Sequence, residues 1–345
     1  MRGTRLRVAR ALAALGAMLC LAAASSGYRV LQRLEFGGAG GWDYPTIDPV
    51  AKRLYLSRAS HVLVADATSG KILGIVPNTL GVHGIALVPE LGRGVTSNGK
   101  ADTATIFDLK SLAAIATVKT GGDPDAILYE AATKRVFTFN GHSHDATVID
   151  PANGNVTGTL ALGGRPEFAV QDGQGKVFVN LIDTAEVVAF DARKLEVIAR
   201  FPTAPGSQPS GLAIDVKHHR LFSSCRSRHL VILDSDTGKV IATFPIGAGT
   251  DGAVYDPERR LAFASNDDGT LSVVREDGPG KFTLLENATT DPGARTVALD
   301  PKTHLLYLPT ASFESPGDPK PKAVEGSFRV LVVGTSSPAA SAPTR

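Results

Sequence analysis

The chain has 345 residues, 43% apolar and 20% charged, with a formal net charge of +2. That apolar share excludes a disordered chain, and 36 glycines without a three-residue period exclude collagen. Beyond the N-terminus no Lys/Arg cluster occurs, so no nucleic-acid surface built on phosphate neutralisation is expected.

The chain opens on MRGTRLRVAR, which carries Arg2, Arg5, Arg7 and Arg10 and no acid. An apolar run from Ala11 to Ala24 and a small-residue SSG exit follow. This order is that of a secretory signal peptide, and about 14 apolar residues are too few to span ~30 Å of hydrocarbon. Residues 1–24 are therefore expected to be removed on export, leaving a periplasmic or secreted chain without a transmembrane span. Cys20 lies in the apolar run, but Ala17-Met18-Leu19 before it makes a poor lipoprotein box. The mature chain would hold 32 basic and 34 acidic residues, a formal net of −2. Cys225 would then be its one cysteine, which excludes an intrachain disulfide.

A strand, YRVLQRLEF (Tyr28 to Phe36), is predicted next, and then a repeat of about forty-two residues. Each copy has a short apolar run, a polar turn and a second apolar run, as in TIDPVAKRLYLS from Thr46 and AVYDPERRLAFAS from Ala253. Matched positions in the second runs are Tyr55, Val95, Phe137, Phe178, Phe222, Phe263 and Tyr307, at intervals of 40, 42, 41, 44, 41 and 44. Further apolar runs end at Asp66, Asp108, Asp150, Asp191 and Asp234, spaced 42, 42, 41 and 43 apart. An aspartate there accepts backbone hydrogen bonds in a turn, and Gly70, Gly154 and Gly238 supply positive φ. One repeat thus predicts four antiparallel strands, the unit of a propeller blade, and the β-branched and aromatic content of the runs agrees.

The expected fold is all-β: a seven-bladed β-propeller over residues 28–334. The seventh repeat ends at SFRVLVVG (Ser327 to Gly334), its third strand, so the N-terminal strand is expected to complete the last blade. A Pro-rich insert, Glu314 to Gly326, interrupts that repeat and is read as a cover over the channel mouth, as a contact for a partner, or as a loose loop. Residues 335–345 form a low-complexity tail, expected to be disordered.

The segments DPVAKRLY (Asp48 to Tyr55), DPERRLAF (Asp256 to Phe263) and DPKTHLLY (Asp300 to Tyr307), with VLVADATSGK (Val62 to Lys71), resemble the YVTN-repeat, YncE-like seven-bladed propellers. The resemblance covers essentially the whole mature chain. It implies the architecture and an exported location, and it is unspecific for activity. Gly94-Val95 departs from the aromatic position in the second repeat, and REDGPGKF (Arg275 to Phe282) is an irregular turn.

Loops entering the inner strands converge on one mouth of a propeller channel. Twelve residues before each matched position stand Asp43, His83, Asp125, Pro166, Ser210, Asp251 and Arg295, and a one-residue slip replaces Pro166 by Glu167. Asn98, Asn140 and Asn266 end three of the second strands and join this candidate funnel. Carboxylate and amide oxygens suit a divalent cation or a small polar ligand; the same residue types also serve as ordinary turn residues. His142 and His144, two apart in GHSHD, are a separate candidate metal pair, with His83 a third ligand from the neighbouring repeat. His218-His219 and His304 are expected to be solvated turn residues, and Trp42 a cap on the core.

The expected function is non-catalytic binding of a small ligand or protein partner at the mouth. The alternative is a divalent-metal hydrolase or lactonase using the mouth carboxylates. No nucleophile elbow, Walker loop or dinucleotide fingerprint occurs in a strand–helix setting.

Overall fold

The computed structural model describes residues 27–314 and 322–335. The proposed signal peptide, the middle of the Pro-rich insert and the tail after Thr335 lie outside the described residues. Those described form seven four-stranded antiparallel sheets around an axis, the β-propeller read from the repeat. The innermost strands are Pro45–Asp48, Val82–Val88, Pro124–Glu130, Pro166–Gln171, Pro209–Asp215, Thr250–Asp256 and Ala298–Asp300. No described helix is long and apolar enough to cross a membrane.

Burial follows the architecture. A second strand such as Leu261–Asn266 is buried along its length because blades pack on both of its faces, whereas the outer strand Ile72–Val76 is mostly exposed. The apolar clusters accordingly lie between blades: Val95, Ile106 and Val118 of the second pack against Val136 and Ile149 of the third. The aspartate turns form as read. Asp66 accepts from the Thr68 and Ser69 amides, and Gly70 follows at φ +73°. In the second and fourth blades Leu112 and Leu195 take the positive φ instead, and Gly74 and Gly158 on the preceding blades leave room for their side chains.

The departure at Gly94 is a volume exchange. Gly94 pairs across the strands with Phe107, whose ring occupies the space of a Cβ at Gly94. Phe107 is fully buried and packs on Tyr55, so the aromatic has moved one strand outward.

The ring closes through both termini. Tyr28–Glu35 forms the outer strand of the last blade, with Tyr28 opposite Thr335 and Glu35 opposite Arg329. Thr335, assigned to the tail from the sequence, is the last residue of that blade's third strand. Hydroxyls near the axis tie neighbouring blades: Thr46 donates to the Ile85 carbonyl (2.8 Å), Ser210 to Thr250 (2.8 Å) and Thr296 to Asp43 (3.0 Å).

Candidate functional site

One charged group per blade reaches the channel mouth. Asp43, His83, Asp125, Glu167, Asp251 and Arg295 come from the positions predicted, with the slip to Glu167 observed, and they form a chain of contacts. His83 Nδ1 donates to Asp43 Oδ2 at 2.7 Å and lies 3.6 Å from Asp125 Oδ1. Arg295 Nη2 is 4.0 Å from Asp43 Oδ1, and its Nε donates to Asp251 Oδ2 at 2.9 Å.

The fifth blade departs from expectation. Ser210 is fully buried and spends its hydroxyl on the sixth blade, so it does not line the mouth. Arg226 stands in its place: Nη2 donates to Asp251 Oδ1 at 2.8 Å and lies 3.7 Å from Glu167 Oε1. Sequence reasoning missed Arg226, but a signal existed. The column after the second strand reads Ala59, Gly99, Gly141, Ile182, Arg226, Asp267 and Ala311, and its two charged members both act on this ring.

The asparagines are corrected as well. Asn98 donates to Thr103 (3.2 Å) and Thr105 (2.9 Å) and accepts from Thr96. Asn140 donates to Asp145 (2.6 Å) and Thr147 (2.9 Å), and Asn266 to Thr270 and Ser272. All three are buried and pin the second strand to the third within a blade, because a buried amide must spend its donors locally. They are not funnel residues.

His142 and His144 do not converge on a common ligand. His142 is 77% exposed in its side chain and pairs with Asp123 at 3.3 Å. His144 holds the turn at φ +58°. His83 joins Asp43 and Asp125 instead of them. Two of the three turn histidines are less solvated than expected: His218 bonds the buried Asp215 at 2.6 Å and His304 the buried Asp256 at 2.7 Å, whereas His219 is exposed. Trp42 packs on Phe328 and Phe313 in the rim of the last blade, as a cap on the core.

Beneath the ring, Tyr44 is buried against Phe168 of the fourth blade, ring centroids 5.0 Å apart. Burial pushes its phenol pKa well up, and Asp125, Asp251, Asp43 and Glu167 all add to the shift. Burial and the neighbouring acids likewise raise Asp125 well above the usual carboxylate range, against the charge of His83. Glu167 is raised to about 7 by burial and Asp251, against the pull of Arg226. Burial disfavours charge on His83, but the Asp43 hydrogen bond with Asp125 and Asp123 prevails and raises it to about 9. Burial pushes the Cys225 thiol up to about 12, far from a nucleophile's range.

The chain of contacts runs Asp125–His83–Asp43–Arg295–Asp251–Arg226–Glu167. Among the described residues no ion pair joins its two ends, Glu167 and Asp125, on adjacent blades, although Arg165 acts on Glu167 from the loop between those blades. Asp43 Oδ1, Asp125 Oδ1 and Glu167 Oε1 are buried and receive no hydrogen bond among the described residues. Carboxylate oxygens in that state attract a cation or a donor-bearing ligand.

No family model and no curated protein matches this chain. Its fold is similar to the WD40 repeats of RRP9, with TM-score 0.73 at 11% identity over 90% of this chain and 98% of that one. It is similar to U3-55K with TM-score 0.72 at 11% identity, covering 90% and 99%. It is also similar to a chain of the Kuenenia stuttgartiensis hydrazine synthase, with TM-score 0.50 at 16% identity, covering 69% and 96%. At such identities the likeness speaks for the fold, and the chain is a seven-bladed β-propeller with WD40-repeat structural neighbours.

Proposed function

We propose that this chain is an exported propeller of the YVTN-repeat, YncE-like kind, acting in the periplasm or outside the cell. It binds a small ligand or a protein partner at its channel mouth and catalyses no reaction. The repeat motifs and the Arg-rich, apolar N-terminus support the family and the location. One observation carries the binding site: a charged group from every blade meets at one mouth, with three buried carboxylate oxygens left without donors. Native mass spectrometry of the chain purified from its own cells tests this reading. A retained adduct or partner that the Asp125→Asn/Asp251→Asn variant loses supports it, and one retained equally by both overturns the site.

The Asp43–His83–Asp125 group favours a second reading, a divalent-metal hydrolase or lactonase at the same mouth. Its test is hydrolysis of a simple lactone by the metal-loaded chain, abolished in the Asp125→Asn variant.

A further inference from the structure

We infer that Asp43, His83 and Asp125 form a binding site for one divalent transition-metal ion. This rests on the binding reading of the mouth and gives that site its ligand class. One ligand atom from each of the three residues lies within 4.8 Å of the others, so an ion would take the place of the proton between His83 and Asp43, with that pair opening slightly to admit it. His83 Nδ1 faces the space between the two carboxylates, at 2.7 Å from Asp43 Oδ2 and 3.6 Å from Asp125 Oδ1. One imidazole and two carboxylates suit Zn²⁺, Mn²⁺ or Co²⁺, whereas Ca²⁺ takes oxygen ligands.

Two observations outside the three ligands point to the same ion. Glu167, with its side chain only 3% exposed, ends in an Oε1 that receives no hydrogen bond among the described residues, and its nearest cation is Arg226 at 3.7 Å. Asp43 Oδ1 and Asp125 Oδ1 are in the same state, so two of the three ligand residues already carry an unpartnered oxygen. Charge balance agrees in sign. Asp43, Asp125, Glu167 and Asp251, with Asp123 and Asp267 beside them, face three guanidiniums, Arg226, Arg295 and Arg165. A divalent ion ligated by neutral His83 offsets part of the negative surplus.

The site draws on three consecutive blades. Asp43 precedes the first blade's inner strand, His83 lies in that of the second and Asp125 in that of the third. The ion would tie these blades together at the axis, so it would stabilise the ring as well as occupy it.

The test is calorimetric titration of the chelator-treated chain with ZnCl₂, MnCl₂ and CaCl₂, with the visible spectrum after adding CoCl₂. The inference expects one Zn²⁺ or Mn²⁺ per chain, weak Ca²⁺ binding, and Co²⁺ bands distinct from those of the aqueous ion. His83→Gln and Asp125→Asn should each weaken Zn²⁺ binding by about tenfold or more while leaving the melting temperature of the metal-free chain measurable. His219→Gln, at an exposed turn histidine that pairs with Asp236 outside the mouth, should leave it intact. Absence of binding, tight binding that survives His83→Gln, or Ca²⁺ binding equal to Zn²⁺ overturns the inference. A metal-free adduct retained by both the wild type and His83→Gln would sink this inference alone and leave the broader binding reading standing.

Discussion

Arg226 Nη2 donates to Asp251 Oδ1 at 2.8 Å, and this bond between the fifth and sixth blades also holds a guanidinium 3.7 Å from the buried Glu167. Arg226→Met keeps much of the stem and removes the charge, leaving Asp251 to Arg295 and Glu167 without its nearest cation. Unfolding in urea should show a loss of about 1–3 kcal/mol, since a hydrogen bond to a charged group is lost and a buried carboxylate is left less compensated. Arg226→Lys should recover only part of it, because an ammonium lacks the planar fork. A Met variant as stable as the wild type would mean that the contact contributes nothing.

The ring makes stability fall as pH rises, in two windows. Glu167 is raised from 4.5 to about 7 in the folded chain. Between those values the folded state holds a proton that the unfolded state has released, so stability drops with pH across that interval, by on the order of 3 kcal/mol. His83 is raised from 6.5 to about 9. Its contribution is complete below 6.5 and is lost as pH passes about 9. In metal-free solution the wild type minus Glu167→Gln difference should therefore change between pH 4.5 and 7. The wild type minus His83→Gln difference should change between 6.5 and 9. Urea midpoints taken along the pH series read both, and parallel curves would contradict the assignments.

The architecture was legible because a blade repeats its turn chemistry as well as its apolar runs. Asp66 and Gly70 announce where a strand stops whatever the tertiary context. The mouth was legible to the extent that it follows repeat position: Asp43, His83, Asp125, Asp251 and Arg295 fell where the count put them. It failed where residue type and direction part company. Ser210 and Asn98 are polar and at the right height, but their short side chains are spent on the Thr250 carbonyl and on Thr103 and Thr105 within the packing. Arg226 starts from the next loop and reaches back on a long stem, a distance that no position count contains.

Gly94 and Phe107 should behave as one unit. A Cβ built at Gly94 comes within 2.2 Å of the Phe107 ring, so Gly94→Val overpacks the seam between the second blade's middle strands. The single variant should lose about 1–3 kcal/mol or more, and Phe107→Ala should lose about 3–5 kcal/mol through the cavity it leaves. The double variant should be more stable than the sum of the two losses predicts, because each change makes room for the other. A double-mutant cycle in urea measures the coupling, and simple additivity would show that the exchange of volumes has no energetic content.

Ring closure can be tested on the first described strand without deleting it. Leu34 is 3% exposed and packs in the cluster between the last and first blades, where it also covers Gly70, while Leu31 on the same strand is 42% exposed. Arg33, also on this strand, pairs with Asp291, which receives Arg329 as well, so Asp291 holds the outer and third strands of the last blade together. Leu34→Ala should cost about 2–5 kcal/mol as a buried truncation, and Leu31→Ala less than about 0.5 kcal/mol as a surface change. If the N-terminal strand closes the ring, hydrogen exchange in Leu34→Ala should rise first in Arg329–Thr335, the strand it pairs with, ahead of the blades opposite. Uniform exchange around all seven blades would mean instead that the closure strand opens only with the whole ring.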